Sequence, residues 1–241
     1  MTTRLYLAFD VADKKIVLPA EEAHYLTRVL RLKVGDAVHV YNEQVGEWRA
    51  ELSAVTKSSC EVLLLDQVRG SRAEPITCLV YAPLKHDAMS FLFEKATELG
   101  VTHLQPMTTD FSQKYTLHTE KIMRQLKQAS QQCERLSVPV LLAPIRFEDA
   151  LREDGHAIYG CRYIALERSD GLSFMDVLAK KESIEPCTLI IGPEGGFSVR
   201  EIDLIKRIAD VQAVSLGKTV LRAETAAIVG LGAISMWRGL V

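Results

Sequence analysis

The fold turns on Ile190-Ile-Gly-Pro-Glu-Gly-Gly-Phe-Ser198. An apolar run from Thr188 to Ile191 reads as a buried strand, and it stops at Gly192. A glycine-rich turn follows. Ser198-Val-Arg-Glu201 then has the spacing of a capping box opening a helix to about Ala209. A strand that runs through a glycine turn into a capped helix belongs to an α/β sheet, where ligands settle at the carboxyl ends of strands. Glycine removes Cβ atoms, so the turn is either a tight structural turn or a loop on which a ligand lies directly against backbone. It is neither a P-loop, because no Gly-Lys-Ser/Thr follows, nor a Gly-x-Gly-x-x-Gly dinucleotide loop.

A second segment repeats the pattern some 25 residues on. In Ser215-Leu-Gly-Lys-Thr-Val-Leu-Arg-Ala-Glu-Thr-Ala226 the strand Val211–Leu216 meets Gly217. A loop then carries Thr219, Arg222, Glu224 and Thr225 into an apolar helix, Glu224 to Trp237. Two glycine-ended strands joined by one helix are expected side by side, their loops forming one cleft. Arg222 and Glu224 form either a structural pair or part of that cleft. The last helix is apolar nearly all round and must be buried. Its interior glycines, Gly230 and Gly232, call for close packing against another backbone, within the chain or across a dimer.

Upstream, strands are expected at Ile76–Tyr81, Val101–Met107, Val138–Leu142 and Tyr163–Leu166, with helices at Ala88–Leu99 and Lys121–Leu136. This alternation predicts a mostly parallel α/β sheet from Ile76 onward. Residues 1 to about 70 read differently. Arg4–Phe9, Val38–Tyr41, Glu47–Leu52 and Cys60–Leu65 are short strands around one helix, Pro19–Leu30, suggesting a small β-barrel. Val68 to Pro75, polar and carrying Gly and Pro, is the expected linker. The domains are therefore 1–72 and 73–241.

Composition narrows the function. The chain has 241 residues, 48% hydrophobic and 25% charged, with net charge −2, so neither wholesale disorder nor a basic surface gripping nucleic acid everywhere fits. Through residue 72 there are ten positive and ten negative side chains, so any nucleic-acid site there is local. Five widely spaced cysteines make a disulfide scaffold or a zinc ribbon a poor reading and fit reduced thiols in a cytoplasmic protein. The start lacks a signal-peptide pattern, and the longest apolar stretch, Ala226 to Trp237, is too short to span a bilayer, for which ~20 residues are needed. No metal and no membrane partner are expected.

The two glycine segments, with His24, Val29-Leu-Arg-Leu-Lys-Val-Gly-Asp36, Lys95-Ala-Thr-Glu-Leu-Gly-Val101, Gln132, Arg135, Pro139 and Glu201, carry a resemblance over nearly the whole chain. The sequence resembles the bacterial 16S ribosomal RNA (uracil-N3) methyltransferases of the SPOUT superfamily. The resemblance implies a PUA-like RNA-binding barrel followed by a parallel-sheet methyltransferase domain with a carboxy-terminal trefoil knot, a rare exception to the rule against threading. It implies S-adenosylmethionine as donor, a homodimer, and 16S ribosomal RNA or the small ribosomal subunit as partner. Two departures stand out. The family commonly has an Arg-Ser pair after the second strand of the catalytic domain, where this chain has Asp110-Phe-Ser112. The usual Glu-Ala before the Gln and Arg becomes Gln128-Ala129.

The expected donor pocket is Leu166, Ile191, Gly192, Pro193, Gly195, Gly196, Leu216, Gly217, Leu221, Arg222 and Thr225. Uracil N3 lies between two carbonyls, so loss of its proton spreads charge over both oxygens, and a cationic side chain there lowers the barrier. Arg222 and Arg135 are the candidates. Glu194 is the candidate base, with Glu224 or water as alternatives. RNA contacts are expected from Arg4, Arg28, Arg31 and Lys33, and from Lys114, Lys121, Arg124, Lys127 and Arg135. Solvated helix faces are the alternative for both groups. His24 is either a core histidine or an RNA contact. Two rivals remain: another knotted methyltransferase acting on a ribose hydroxyl or a transfer-RNA guanine, and a non-catalytic RNA-binding assembly protein.

Overall fold

The computed structural model describes residues 3–56, 59–152, 159–167 and 172–240. Its contacts divide into two units, Met1–Ala73 with Ser130–Ser137, and Glu74–Ala129 with Val138–Val241.

The first unit holds β1 (Arg4–Tyr6), β2 (Lys15–Val17), α1 (Ala20–His24), β3 (Ala37–Asn42), β4 (Gly46–Val55) and β5 (Cys60–Arg69). The sheet order is β1-β3-β4-β5-β2. Only β1 and β3 run parallel; the other pairs are antiparallel. Period-two alternation sends Val38 and Val40, Ala50 and Leu52, and Val62 and Leu64 into one core with Leu5 and Leu26. The helix expected over Pro19–Leu30 is shorter. After His24 the chain widens into a π turn, Tyr25–Val29, in which Leu30 N–H reaches Tyr25 O. The expected linker also begins later, because β5 continues through Val68 and Arg69.

The second unit follows in order: β6 (Thr77–Tyr81), α2 (His86–Glu98), β7 (His103–Thr108), α3 (Thr119–Gln132), β8 (Val140–Leu141), β9 (Ile145–Arg146), α4 (Phe147–Ala150), β10 (Cys161–Ala165), β11 (Leu172–Ser173), α5 (Phe174–Leu178), β12 (Cys187–Ile191), α6 (Val199–Arg207), β13 (Val211–Ser215) and α7 (Ala223–Trp237). Every ladder is parallel, in the order β11-β13-β10-β12-β6-β7-β8, with β9 also on β7. β6 and β12 are buried at every residue, as central parallel strands covered on both faces must be. α7 packs on β12 and α2. A Cβ on Gly230 would come within 2.6 Å of Leu189 Cδ2, which accounts for that glycine within the chain; Gly232 has nothing within 4 Å.

One expectation is corrected. β12 and β13 are not neighbours. β10 lies between them and pairs parallel with both. The crossover through α6 skips one strand position, so three carboxyl ends stand in a row, β13, β10 and β12. The loop that opens with Leu166 sits between the two glycine loops.

Candidate active site

The loop after β12 combines necessity with freedom. Gly192 cannot carry a side chain, because a Cβ there would meet the Phe197 ring at 2.7 Å. Gly196 has φ +73°, a left-handed conformation, and its N–H closes a turn onto Pro193 O at 2.9 Å. Those two glycines are structural. Gly195 is exposed, with negative φ, and leaves backbone open to a ligand. Ile191 is buried, Pro193 is buried, and Glu194 is exposed.

Ser198 and Glu201 form the full capping box the sequence anticipates. Ser198 Oγ accepts from Glu201 N–H at 3.2 Å, and Glu201 Oε2 accepts from Ser198 N–H at 2.8 Å. The second oxygen of Glu201 does more. Oε1 accepts the Asp110 N–H at 2.8 Å, so one fully buried carboxylate ties the loop after β7 to the loop after β12. The Asp110 carboxylate completes the tie, accepting from Ser198 Oγ at 2.5 Å and from Arg200 Nη2 at 2.8 Å. Arg200 also pairs with Glu148 at 2.6 Å. The Arg200 guanidinium, with the Ser198 hydroxyl, holds the Asp110 carboxyl below the usual carboxylate range. Asp110, one of the departures from the family pattern, therefore orients the loop.

After β13 the chain bends at Gly217, whose φ is +146°. Ser215 Oγ accepts from Gly217 N–H at 3.4 Å and donates to Gly217 O at 3.2 Å. Ser215, Leu216, Gly217 and Lys218 line a groove of about 350 Å³, opposite Ser173–Met175 and with Val229 and Ala233 of α7. Arg222 is the N-cap residue of α7, exposed, and bonded to no described side chain. Glu224 lies in the first turn of α7 and buries Oε2 without a hydrogen-bond partner. Among the described residues no Arg222–Glu224 ion pair exists, so that structural alternative is set aside. Leu221 is half-buried and Thr225 exposed beside them.

These features fit S-adenosylmethionine. A buried, unpartnered carboxylate oxygen suits a cation or a donor group, bare glycine backbone at Gly195 suits a polar ring edge, and the half-buried Leu166, Leu216 and Leu221 supply apolar faces. No group of His, Cys, Asp and Glu suited to a metal occurs among the described residues.

The RNA-contact expectations divide. Arg4 is corrected: its side chain is only 10% exposed and is spent on the fold. It donates to Glu47 at 2.7 and 3.0 Å and to Gln131 O at 3.3 Å, and it lies 4.4 Å from the Tyr41 ring. His24, Arg28, Arg31 and Lys33 are all exposed, so His24 is no core histidine. Lys114, Lys121 and Arg124 are exposed in the second unit, with Lys121 Nζ donating to His86 Nε2 at 2.7 Å. Arg135 belongs to the segment that packs with the first unit, where Nη2 donates to Ser137 Oγ at 3.0 Å. The sequence offered no signal for Arg200 or for the groove wall at Ser173–Met175.

The chain has relatives over nearly its full length. A family model described as an RNA methyltransferase domain matches residues 72–235, and one described as an RNA methyltransferase PUA domain matches 18–65. The ribosomal RNA small subunit methyltransferase E of Rickettsia conorii is 29% identical over 97% of this chain and 95% of that one. Its namesake from Synechocystis is 31% identical over 98% of this chain and 78% of the relative. A protein of Legionella pneumophila, described as a methyltransferase and solved in complex with the bound cofactor SAM, superposes with a TM-score of 0.81 at 26% identity, covering 98% of both chains.

Proposed function

Since the chain belongs to the RNA methyltransferase family that includes the ribosomal RNA small subunit methyltransferases E, we propose that it transfers a methyl group from S-adenosylmethionine to N3 of one uridine in 16S ribosomal RNA. The observation that carries this reading is the row of three carboxyl ends, β13, β10 and β12, with open glycine backbone on the outer two and exposed Arg222 at the rim.

S-adenosylmethionine, when bound, supplies an electrophilic methyl group. The chain's own residues do the rest. Leu166, Ile191, Leu216 and Leu221 would wall the donor, and backbone of Gly192–Gly196 and Gly217 would pair with its polar edges. Thr225 and Glu224 close the α7 side. Arg222 faces the oxygens flanking N3 and offsets the charge that grows there as the proton leaves. Glu194 is exposed in the same loop cluster and takes that proton. Arg135, in the first unit, is a cation for RNA phosphate.

N3 lies on the pairing edge, so the uridine must be unpaired or flipped out. His24, Arg28, Arg31 and Lys33 of the 1–72 domain, and Lys114 of the 73–241 domain, hold the surrounding strand. We further propose a closed barrel in the first domain, a trefoil knot, a homodimer and a cytoplasmic setting, as the sequence resemblance implies. No described helix is long and apolar enough to cross a membrane.

The test is direct: incubate the purified chain with labelled S-adenosylmethionine and small subunits lacking the modification, then digest the RNA to nucleosides. Label in 3-methyluridine supports the reading. Label in a ribose-methylated nucleoside or a methylguanosine replaces it with another RNA methylation, and absence of label refutes catalysis.

A further inference from the structure

A base presented to a methyl donor by its pairing edge needs support for its face, and proteins that hold unpaired bases supply that support with aromatic side chains. The carboxyl edge of the second sheet offers few. Phe174 is buried, and Phe197 is packed under Gly192 and 5.2 Å from the Phe147 ring. Tyr115 packs on the core. Among the described residues in the loops after β6, β7, β12 and β13, Phe111 is the one exposed aromatic, at 56%.

Its placement is not that of a loose surface residue. A Cβ built on Gly195 would lie 3.4 Å from Phe111 Cβ, so the side chain begins directly beside the open backbone of the glycine loop. The backbone on both sides of it is fixed. Before it, Asp110 is held through its N–H by Glu201 and through its carboxylate by Ser198 and Arg200. After it, Ser112 closes the turn: its N–H reaches Thr109 O at 3.3 Å, and its Oγ accepts from Thr109 N–H at 3.0 Å. Five hydrogen bonds thus anchor the flanking residues, while the ring itself gains little burial. Lys114, exposed three residues on, stands ready for a phosphate.

We propose that the exposed ring of Phe111, presented by the clamped Thr109–Ser112 turn beside Gly195, is the surface on which the target base stacks. The proposal rests on the RNA methyltransferase reading above and gives that site its base-positioning residue.

The test uses the full chain carrying Phe111→Leu, which keeps apolar bulk but no π face, and Phe111→Trp, which restores one. Phe111→Leu is expected to lower kcat/KM for small-subunit RNA by roughly 10- to 100-fold, the scale of one lost base–aromatic stack, with donor affinity in calorimetry unchanged. Phe111→Trp is expected to return to within about threefold of wild type, and its new indole is expected to be quenched when small-subunit RNA binds. Wild-type RNA kinetics in Phe111→Leu would overturn the proposal. So would weakened donor binding, which would put the ring in the donor pocket, or an altered molecular mass in light scattering, which would put it in a subunit contact. If the wild-type chain methylates no RNA, the functional reading has failed. The indole quenching still decides the stacking proposal without turnover, and an unquenched indole overturns it.

Discussion

Replacing Glu201 with Gln changes one oxygen for an NH2 group and leaves volume intact. In the native chain this fully buried carboxylate accepts two backbone N–H groups, Ser198 at 2.8 Å and Asp110 at 2.8 Å. The glutamine oxygen can serve one of them; its NH2 must face the other, leaving two donors opposed. A hydrogen bond to a charged group contributes about 1.5–3 kcal/mol, so the loss should fall in that range, since one such bond disappears and the other becomes neutral. For a unit of this size that lowers the midpoint of thermal unfolding by on the order of 5 °C. Trp237 of α7 reports on the second unit once the chain's other tryptophan is removed by Trp48→Phe. Amide exchange localises the effect: the Asp110 and Ser198 amides should lose protection while the amides of β6 and β12 keep theirs. Donor affinity should fall with them, because the same carboxylate fixes the glycine loop. An unaltered midpoint with unaltered protection at Asp110 and Ser198 would refute the tie between the two loops.

Arg222→Ala should lower kcat by about 10²–10³, the usual scale for one lost charge-stabilising donor, with donor affinity retained in calorimetry; equal loss of donor affinity would instead make Arg222 a pocket wall. Gly230→Ala should destabilise by about 1–3 kcal/mol in urea unfolding, since its methyl would be forced against Leu189, whereas Gly232→Ala should stabilise a monomer by up to ~1 kcal/mol. A Gly232→Ala chain that loses stability and falls to half its mass in light scattering would instead place a second copy at that glycine. In the first unit, burial disfavours the Glu47 charge, but hydrogen bonds from Arg4 and His39 and the charges of Arg4 and Arg69 prevail, holding its pKa at about 2. The stability this contributes is full above the unfolded-state value of ~4.3 and drains away as pH falls toward 2, so Glu47→Gln should flatten acid unfolding of that unit between those limits.

What the sequence exposed was local. The capping box at Ser198 and Glu201 could be read from four residues, and the strands ending at Gly192 and Gly217 from short apolar runs. Strand order could not be read this way: nothing in the periodicity of Cys161–Ala165 says that it separates β12 from β13, because each parallel strand presents the same apolar pattern on both edges. Pairings across the chain were hidden for the same reason. Arg4 reads as an RNA contact in the sequence, yet Glu47, 43 residues away, lies against it, and the partners of Asp110, Arg200 and Glu201, are 90 and 91 residues on. The π turn after His24 escaped because 3.6- and 4.4-residue windings share their first apolar contacts. β9, β11 and α4 span two to four residues, too few for any period to register.

Methylation of small-subunit RNA at uridine N3 is decided by nucleoside mass spectrometry of 16S ribosomal RNA from a strain lacking this protein and from the same strain given back the wild-type or the Arg222→Ala chain. The account predicts that 3-methyluridine disappears in the deletion, returns with the wild-type chain, and stays low with the variant. An undiminished 3-methyluridine level in the deletion strain would contradict it.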